Sequence, residues 1–353
     1  MKTIPNAFAS QNTTAGFRSF FPEIFNRDKL RKIIVLKGGP GTGKSYLMKA
    51  AATNWEEKGG TAERFSCSSD PDSLDAVLFP EIGAAILDGT SPHTFDAVYP
   101  GAVEEIFDTG AFWKTAQISQ NAETIRHLVH TKRESVHSAE LFLSGAGILF
   151  NGVSAIAKEA LDQEKIRKAI DRYLKKEKLS SDPEKTSGIR LNESFNHHGL
   201  CRTAVFEKNA ESVYFLKDEA FSASLFLNEF GKRLQEKKIF HIRSYSAIFP
   251  DRINALYLPE NKAAWIAGDL KEFPAPSPCV FINMKRFLSE EILKKNRLKI
   301  RYLKKSANFL VSEAKDSFLS AREAHLRLEK LYTSAMNFEK MNLSFQKRIS
   351  FLN

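Results

Sequence analysis

Residues Gly38-Gly39-Pro40-Gly41-Thr42-Gly43-Lys44-Ser45 fit the spacing G-x-x-x-x-G-K-[ST], and their flanks constrain how they can fold. Residues 31–36, Arg-Lys-Ile-Ile-Val-Leu, form a short apolar run with β-branched side chains, as in a buried parallel strand. Downstream, Leu47, Met48, Ala51 and Trp55 share one helical face, and Gly59-Gly60 ends the pattern. A strand, a glycine loop and a helix in this order turn successive backbone N–H groups inward. The helix N-terminus adds partial positive charge. The spacing therefore predicts a cradle for a nucleoside triphosphate, with Lys44 on the β- and γ-phosphates and Ser45 on Mg²⁺. Gly38, Gly39, Pro40, Gly41, Thr42, Gly43, Lys44, Ser45 and Tyr46 are the expected nucleotide-binding residues.

Such a cradle needs an acid at the end of an adjacent strand. Residues 83–88, Gly-Ala-Ala-Ile-Leu-Asp, supply an apolar run ending in Asp88, which is expected to join Ser45 in holding the metal shell. The loop after it, 89–93, faces the crevice of an open α/β sheet, so His93 is a candidate γ-phosphate sensor or proton carrier, and a structural turn histidine reads the same way. Lys44, Asp88 and His93 are the candidate catalytic residues. Asp72, Asp75 and Glu81 are further candidates for orienting a water or accepting a hydroxyl proton. Asp70-Pro71 predicts a helix N-cap with proline at the first helical position. Residue 89 is glycine, not a glutamate, which favours slow hydrolysis or transfer to another acceptor. The chain has no Asn-Lys-x-Asp sequence, so ATP is the expected nucleotide.

The same unit recurs about 179 residues later. Phe65-Ser66-Cys67, Pro71-Asp72-Ser73-Leu74-Asp75-Ala76-Val77 and Phe79-Pro80-Glu81 return as Ser244-Tyr245-Ser246, Pro250-Asp251-Arg252-Ile253-Asn254-Ala255-Leu256 and Leu258-Pro259-Glu260. Residues 213–217 match 33–37, but Asp218-Glu219-Ala220-Phe221-Ser222-Ala223-Ser224 follows them with no glycine and no lysine. Lys44 falls on Ala223 and Asp88 on Ala267. The acids Asp218 and Glu219 would repel phosphate, so this half is expected to fold without nucleotide.

The expected fold class is therefore α/β, a nucleotide-binding parallel sheet with flanking helices, duplicated, plus helical appendages. The expected units are 1–120 (intact), 121–187 (helical), 188–284 (degenerate) and 285–353 (basic helices), with Pro183 and Gly188 marking the linker and Pro274 to Pro278 preceding the last strand. Net charge is +10, and residues 285–353 hold 16 Lys and Arg against 7 Asp and Glu. That segment could bind nucleic acid or an acidic protein, or be a solvated helix face. Three widely spaced cysteines and no apolar leader fit a reducing cytoplasm. Residues 141–157 carry no charge, but their glycines, serines and asparagine favour a buried helix over a membrane span.

The chain resembles a poorly characterised family of bacterial ATPases known from Gram-positive spore formers. The marks are residues 36–45, Cys67-Ser68-Ser69-Asp70-Pro71-Asp72-Ser73-Leu74-Asp75, Asp88-Gly89-Thr90-Ser91-Pro92-His93 and Pro100-Gly101-Ala102-Val103-Glu104-Glu105. The resemblance implies tandem phosphate-loop halves with helical extensions, and the second half departs from it at residues 218–224. An ATP-binding and ATP-hydrolysing protein with one Mg-ATP site is the leading expectation. A small-molecule or nucleotide kinase, or a nucleotide-gated interaction module working through its basic helices, are the alternatives, and a homo-oligomer is compatible with each.

Overall fold

The computed structural model describes residues 7–177, 179, 187–269, 276 and 278–352. The first half begins with β1 (Ala7–Phe8), a hairpin of β2 (Ser10–Thr13) and β3 (Gly16–Ser19), and α1 (Phe21–Ile24). Then come β4 (Lys32–Lys37), α2 (Lys44–Glu57), β5 (Glu63–Ser66), β6 (Leu74–Phe79), β7 (Ala84–Asp88) and β8 (Glu104–Asp108). Three helices follow, α3 (Thr115–Gln120), α4 (Ala122–Ala160) and α5 (Gln163–Lys176).

The second half repeats this order. It opens with β9 (Gly188–Ile189), the hairpin β10 (Glu193–Asn196) and β11 (Gly199–Arg202), β12 (Ser212–Lys217) and α6 (Ser222–Glu236). It continues through β13 (Ile242–Tyr245), β14 (Ile253–Leu258), β15 (Ala263–Gly268) and β16 (Val280–Asn283). It ends with α7 (Glu290–Lys295), α8 (Arg297–Ala335) and α9 (Phe338–Arg348). Gly188 thus starts a strand and is not linker, while Pro183 and Pro274 lie outside the described residues.

The halves form matching six-stranded sheets, ordered β1-β5-β6-β7-β4-β8 and β9-β13-β14-β15-β12-β16. Even the irregularities recur, since β5 shifts register against β6 at Phe65/Ser66 and β13 against β14 at Ser244/Tyr245. The sheets are mixed, which corrects the parallel expectation. β4 runs parallel to β7 and β8, but β6 is antiparallel to both of its neighbours. A strand buried on both faces carries an unbroken apolar run, and such a run does not encode its own direction.

Alternation along the central strands sets the layers. Ile33 and Val35 of β4 face a core shared with Val213 of β12 and Ala264 and Ile266 of β15, so the two sheets pack face to face. Ile34 and Leu36 point the other way, into a core with Leu47 and Met48 of α2. In the second half Tyr214 and Leu216 meet Phe226, Phe230 and Trp265.

The helical segments are not appendages. α4 and α8, 39 residues each, lie side by side along the molecule, about 58 Å long by helical rise. By length and composition alone α4 could cross a membrane, and its residues Ala139, Leu143, Ala146 and Phe150 are buried against partners from α8 and the second half. At the end of α4 the chain crosses to the second half, where Leu161 bridges Leu288 and α5 inserts Ile166, Ala169 and Ile170 into that core. At the end of α8 it crosses back, Met336 bridges Trp113, and α9 inserts Met341 and Phe345 into the first core. Each half is closed by the other half's last helix.

Candidate functional site

β4 delivers the chain to the carboxyl edge of its sheet, and the glycine loop turns there into α2. Gly38 adopts φ 147°, and a Cβ at this position would lie 2.0 Å from Thr109 Oγ1. Thr109 Oγ1 in turn donates to Lys37 O at 2.9 Å and lies 2.9 Å from Thr42 Oγ1, bracing the loop from beneath. Gly43 is the N-cap of α2 in the left-handed region. The loop thus turns from β4 into α2 on glycines of positive φ at 38, 41 and 43.

Lys44 is buried, and its Nζ donates to the carbonyls of Gly38 and Gly39 at 3.0 and 2.9 Å. Asp88 ends β7, the neighbour of β4, and its Oδ2 stands 3.6 Å from Lys44 Nζ. Its Oδ1 accepts from the N–H and hydroxyl of Thr90 at 2.9 and 2.6 Å, which fixes the carboxylate and leaves Oδ2 facing the lysine. Ser45 Oγ accepts from Leu74 N at 3.0 Å. Lys44 and Asp88, expected together, are brought together. Tyr46 points outward and is exposed.

His93 is placed differently from a crevice residue. It is buried, stacked on Phe21 with ring centroids 5.1 Å apart, and its Nε2 lies 3.3 Å from Asp75 Oδ2. Burial works against its protonation, but the Asp75 carboxylate outweighs this and raises its pKa. It reaches Asp88 and Lys44 through their charges and makes no hydrogen bond to either.

Two other expectations are corrected. Asp70-Pro71 caps no helix; residues 70–73 make a turn, with Ser73 N donating to Asp70 O at 2.9 Å, and the chain enters strand β6. Glu81 sits at the far end of β6, beside Thr61 N and Trp55 Nε1, away from the loop. Asp72 is exposed, and Asp75 is committed to His93.

The site has a roof that spacing did not anticipate. α8 lays its last turns over the loop. A Cβ on Gly41, at φ 68°, would be 2.4 Å from Glu329 O, and one on Gly39 would be 3.1 Å from Tyr332. Thr333 Oγ1 donates to Gly41 O at 3.0 Å. One face of α8 then continues outward through His325 and Arg322, and α4 adds Lys132. Lys132 Nζ lies 3.1 Å from His325 Nδ1, His325 Nε2 is 3.6 Å from Glu329, and Arg322 is 4.0 Å from Asp70. Burial pushes the His325 pKa down to about 4, helped by the charges of Lys132, Lys44 and Arg322. Burial likewise lowers Lys132 and, with repulsion from Asp70, raises Glu329. The one sequence signal for these residues is the repeat carried into the helices, where the offset is 175 because the β7–β8 connection is longer than its β15–β16 counterpart.

The second half holds its corresponding loop in another way. Ala220 and Phe221 take positive φ (52° and 64°) without glycine, and Asp218 Oδ1 accepts from Ala223 N at 2.8 Å. A carboxylate of the chain itself thus occupies the first turn of α6, where an anion would bind. The cavity beside it, lined by Asp218, Ser224, Asn254 and Lys304, is about 130 Å³, below the ~300 Å³ at which pockets for larger ligands begin.

The first half therefore presents a glycine loop, a buried lysine and a strand-end carboxylate under a charged helical roof. No family model, curated protein or solved structure matches this chain.

Proposed function

We propose that the chain is an ATP-binding and ATP-hydrolysing protein of the phosphate-loop type, with one Mg-ATP site per chain in its first half. The observation that carries this reading is the enclosure of Lys44. Its ammonium is held by the carbonyls of Gly38 and Gly39 beside Asp88, a cation positioned where a polyphosphate would be wrapped.

The loop N–H groups and the start of α2 would hold the β-phosphate, and Lys44 would bridge toward the γ-phosphate. Thr109 and Thr42 keep the loop in its wrapped shape, so little rearrangement is needed on binding. Ser45 Oγ and Asp88 Oδ2 are hard oxygen donors on adjacent elements, which suits Mg²⁺. When bound, the ion would neutralise phosphate charge. In the second half Ala223 and Ala267 replace the lysine and the acid, and Asp218 fills the helix terminus, which supports one site and not two.

Lys44→Ala removes a charge-assisted contact worth roughly 2–3 kcal/mol, so ATP affinity should fall on the order of 30- to 150-fold. Isothermal titration of both proteins measures this, together with a stoichiometry of one. Equal affinity and equal turnover in the two proteins would overturn the proposal.

A further inference from the structure

The duplicated architecture contains its own control, one side with an intact loop and one without. Along α4 and α8 positions correspond at an offset of 175, as the matched bridges Trp113–Met336 and Leu288–Leu161 show. Over the intact loop stand Lys132, Arg322, His325 and Glu329. Their counterparts over the degenerate loop are Ala307, Gly147, Phe150 and Ser154, all buried and uncharged. The same helix pair packs on both sides, with Phe150 and Ala307 sharing one apolar cluster where His325 meets Lys132. Packing therefore does not require the charged set. It is absent on the side that also lacks Lys44 and Asp88, whose counterparts are Ala223 and Ala267.

The charged set is also short of anions. Among the described residues Lys132 has no carboxylate at ion-pair distance, and its hydrogen-bond partner is the His325 ring. Arg322 reaches Asp70 only at 4.0 Å, and its buried Nε has no hydrogen-bond partner among the described residues. Lys44, Lys132 and Arg322 thus converge on the strand-end crevice from the loop, from α4 and from α8. Lys132 is half-buried, and a partly desolvated cation without a carboxylate at ion-pair distance is stabilised when an anion joins it.

We propose that Lys132 and Arg322, with His325 beside them, form the wall that receives the terminal phosphate of the nucleotide at Gly38–Ser45. The second repeat's long helix would then complete the first repeat's site within one chain. This rests on the nucleotide reading above and extends it to which phosphate is sensed, and by which residues. A triphosphate would engage the wall, and a diphosphate would leave it.

The test compares Mg-ADP with Mg-adenylyl imidodiphosphate on the wild type, Lys132→Gln and Arg322→Gln, by calorimetry, with ATP turnover in parallel. Each substitution should weaken the triphosphate analogue about 10- to 100-fold, the loss expected for one charge-assisted contact, and change ADP affinity by less than about threefold. Turnover should fall on the order of 100-fold or more in Arg322→Gln and partly recover in Arg322→Lys. On the wild type alone, the His325 ring followed by NMR should titrate higher with the triphosphate analogue than with ADP, because a bound anion offsets Lys132, Lys44 and Arg322. That readout needs no variant, so a misfolded substitution leaves the proposal testable. Equal losses for both nucleotides, no loss in folded variants, or a His325 titration indifferent to the third phosphate would each overturn it. If binding depends on Lys44 but ignores Lys132 and Arg322, this inference fails alone. If the wild type binds neither nucleotide, both readings fall.

Discussion

His325 illustrates how position on the roof decides ionisation. It faces Lys132 of α4, Arg322 and Glu329 of α8, and Lys44 of the loop, and burial with these cations brings its pKa down to about 4. An unfolded histidine titrates near 6.5, so between roughly pH 6.5 and 4 the unfolded chain binds more protons than the folded one. Stability should therefore be undiminished by this group above about pH 6.5 and decline as pH falls toward 4. The side chain is 33% exposed, and solvent screening holds the effect to roughly 1–2 kcal/mol. His93, whose pKa is raised, contributes with the opposite sign. Urea unfolding at pH 7 and pH 4.5 should thus show a smaller acid loss in His325→Gln than in the wild type. Parallel losses would refute the assignment. None of this was legible locally, because a histidine inside a basic helix carries no mark of the charges that meet it across the fold.

Among the elements, α9 has the role furthest from its sequence appearance. Basic and apolar residues alternate in it as on any solvated amphipathic helix, yet Met341 and Phe345 are buried against β4, α2 and the loop. Phe345 meets Phe107 at 5.2 Å between ring centroids, and Phe338 and Met341 back Gly43. Phe345→Ala should cost about 3–5 kcal/mol of stability, the usual range for a buried phenylalanine. Since the helix also supports the loop, ATP affinity should fall with it. Thermal unfolding with and without nucleotide checks both, and a loss under about 1 kcal/mol would show that α9 is dispensable. Removing residues 285–353 would therefore strip the first half of part of its core, and lost nucleic-acid binding in such a truncation would say nothing specific about the basic charge.

For the molecule as a whole, the core between the sheets joins the two halves. Ile33, Val35 and Phe65 of one half pack with Val213, Tyr257 and Ile266 of the other, and α5 and α9 are exchanged. Neither half can bury its apolar faces alone, so the chain should unfold in a single transition. Trp265, fully buried in the second half, and Trp55, in the first, report on the two halves separately. In single-tryptophan variants their urea midpoints should coincide, and saturating Mg-ATP should move both together. Two resolved midpoints would show independent domains.

The sequence by itself determined what is local or repeated. The glycine loop lies between a strand and a helix within about thirty residues, so its fold context is written contiguously. The duplication declared itself through spacing, and the broken second loop through missing residue types. Tertiary structure decided what depends on the return of the chain. Strand direction in a doubly buried sheet is set by which edges meet, because an apolar run reads the same in either direction. The faces that α4 and α8 present are set by their partners, and the last helix of each half finds its core in the other. Residues as distant as Lys132 and Arg322 thus arrive over Lys44 through the crossing of two long helices, a relation that no window of sequence contains.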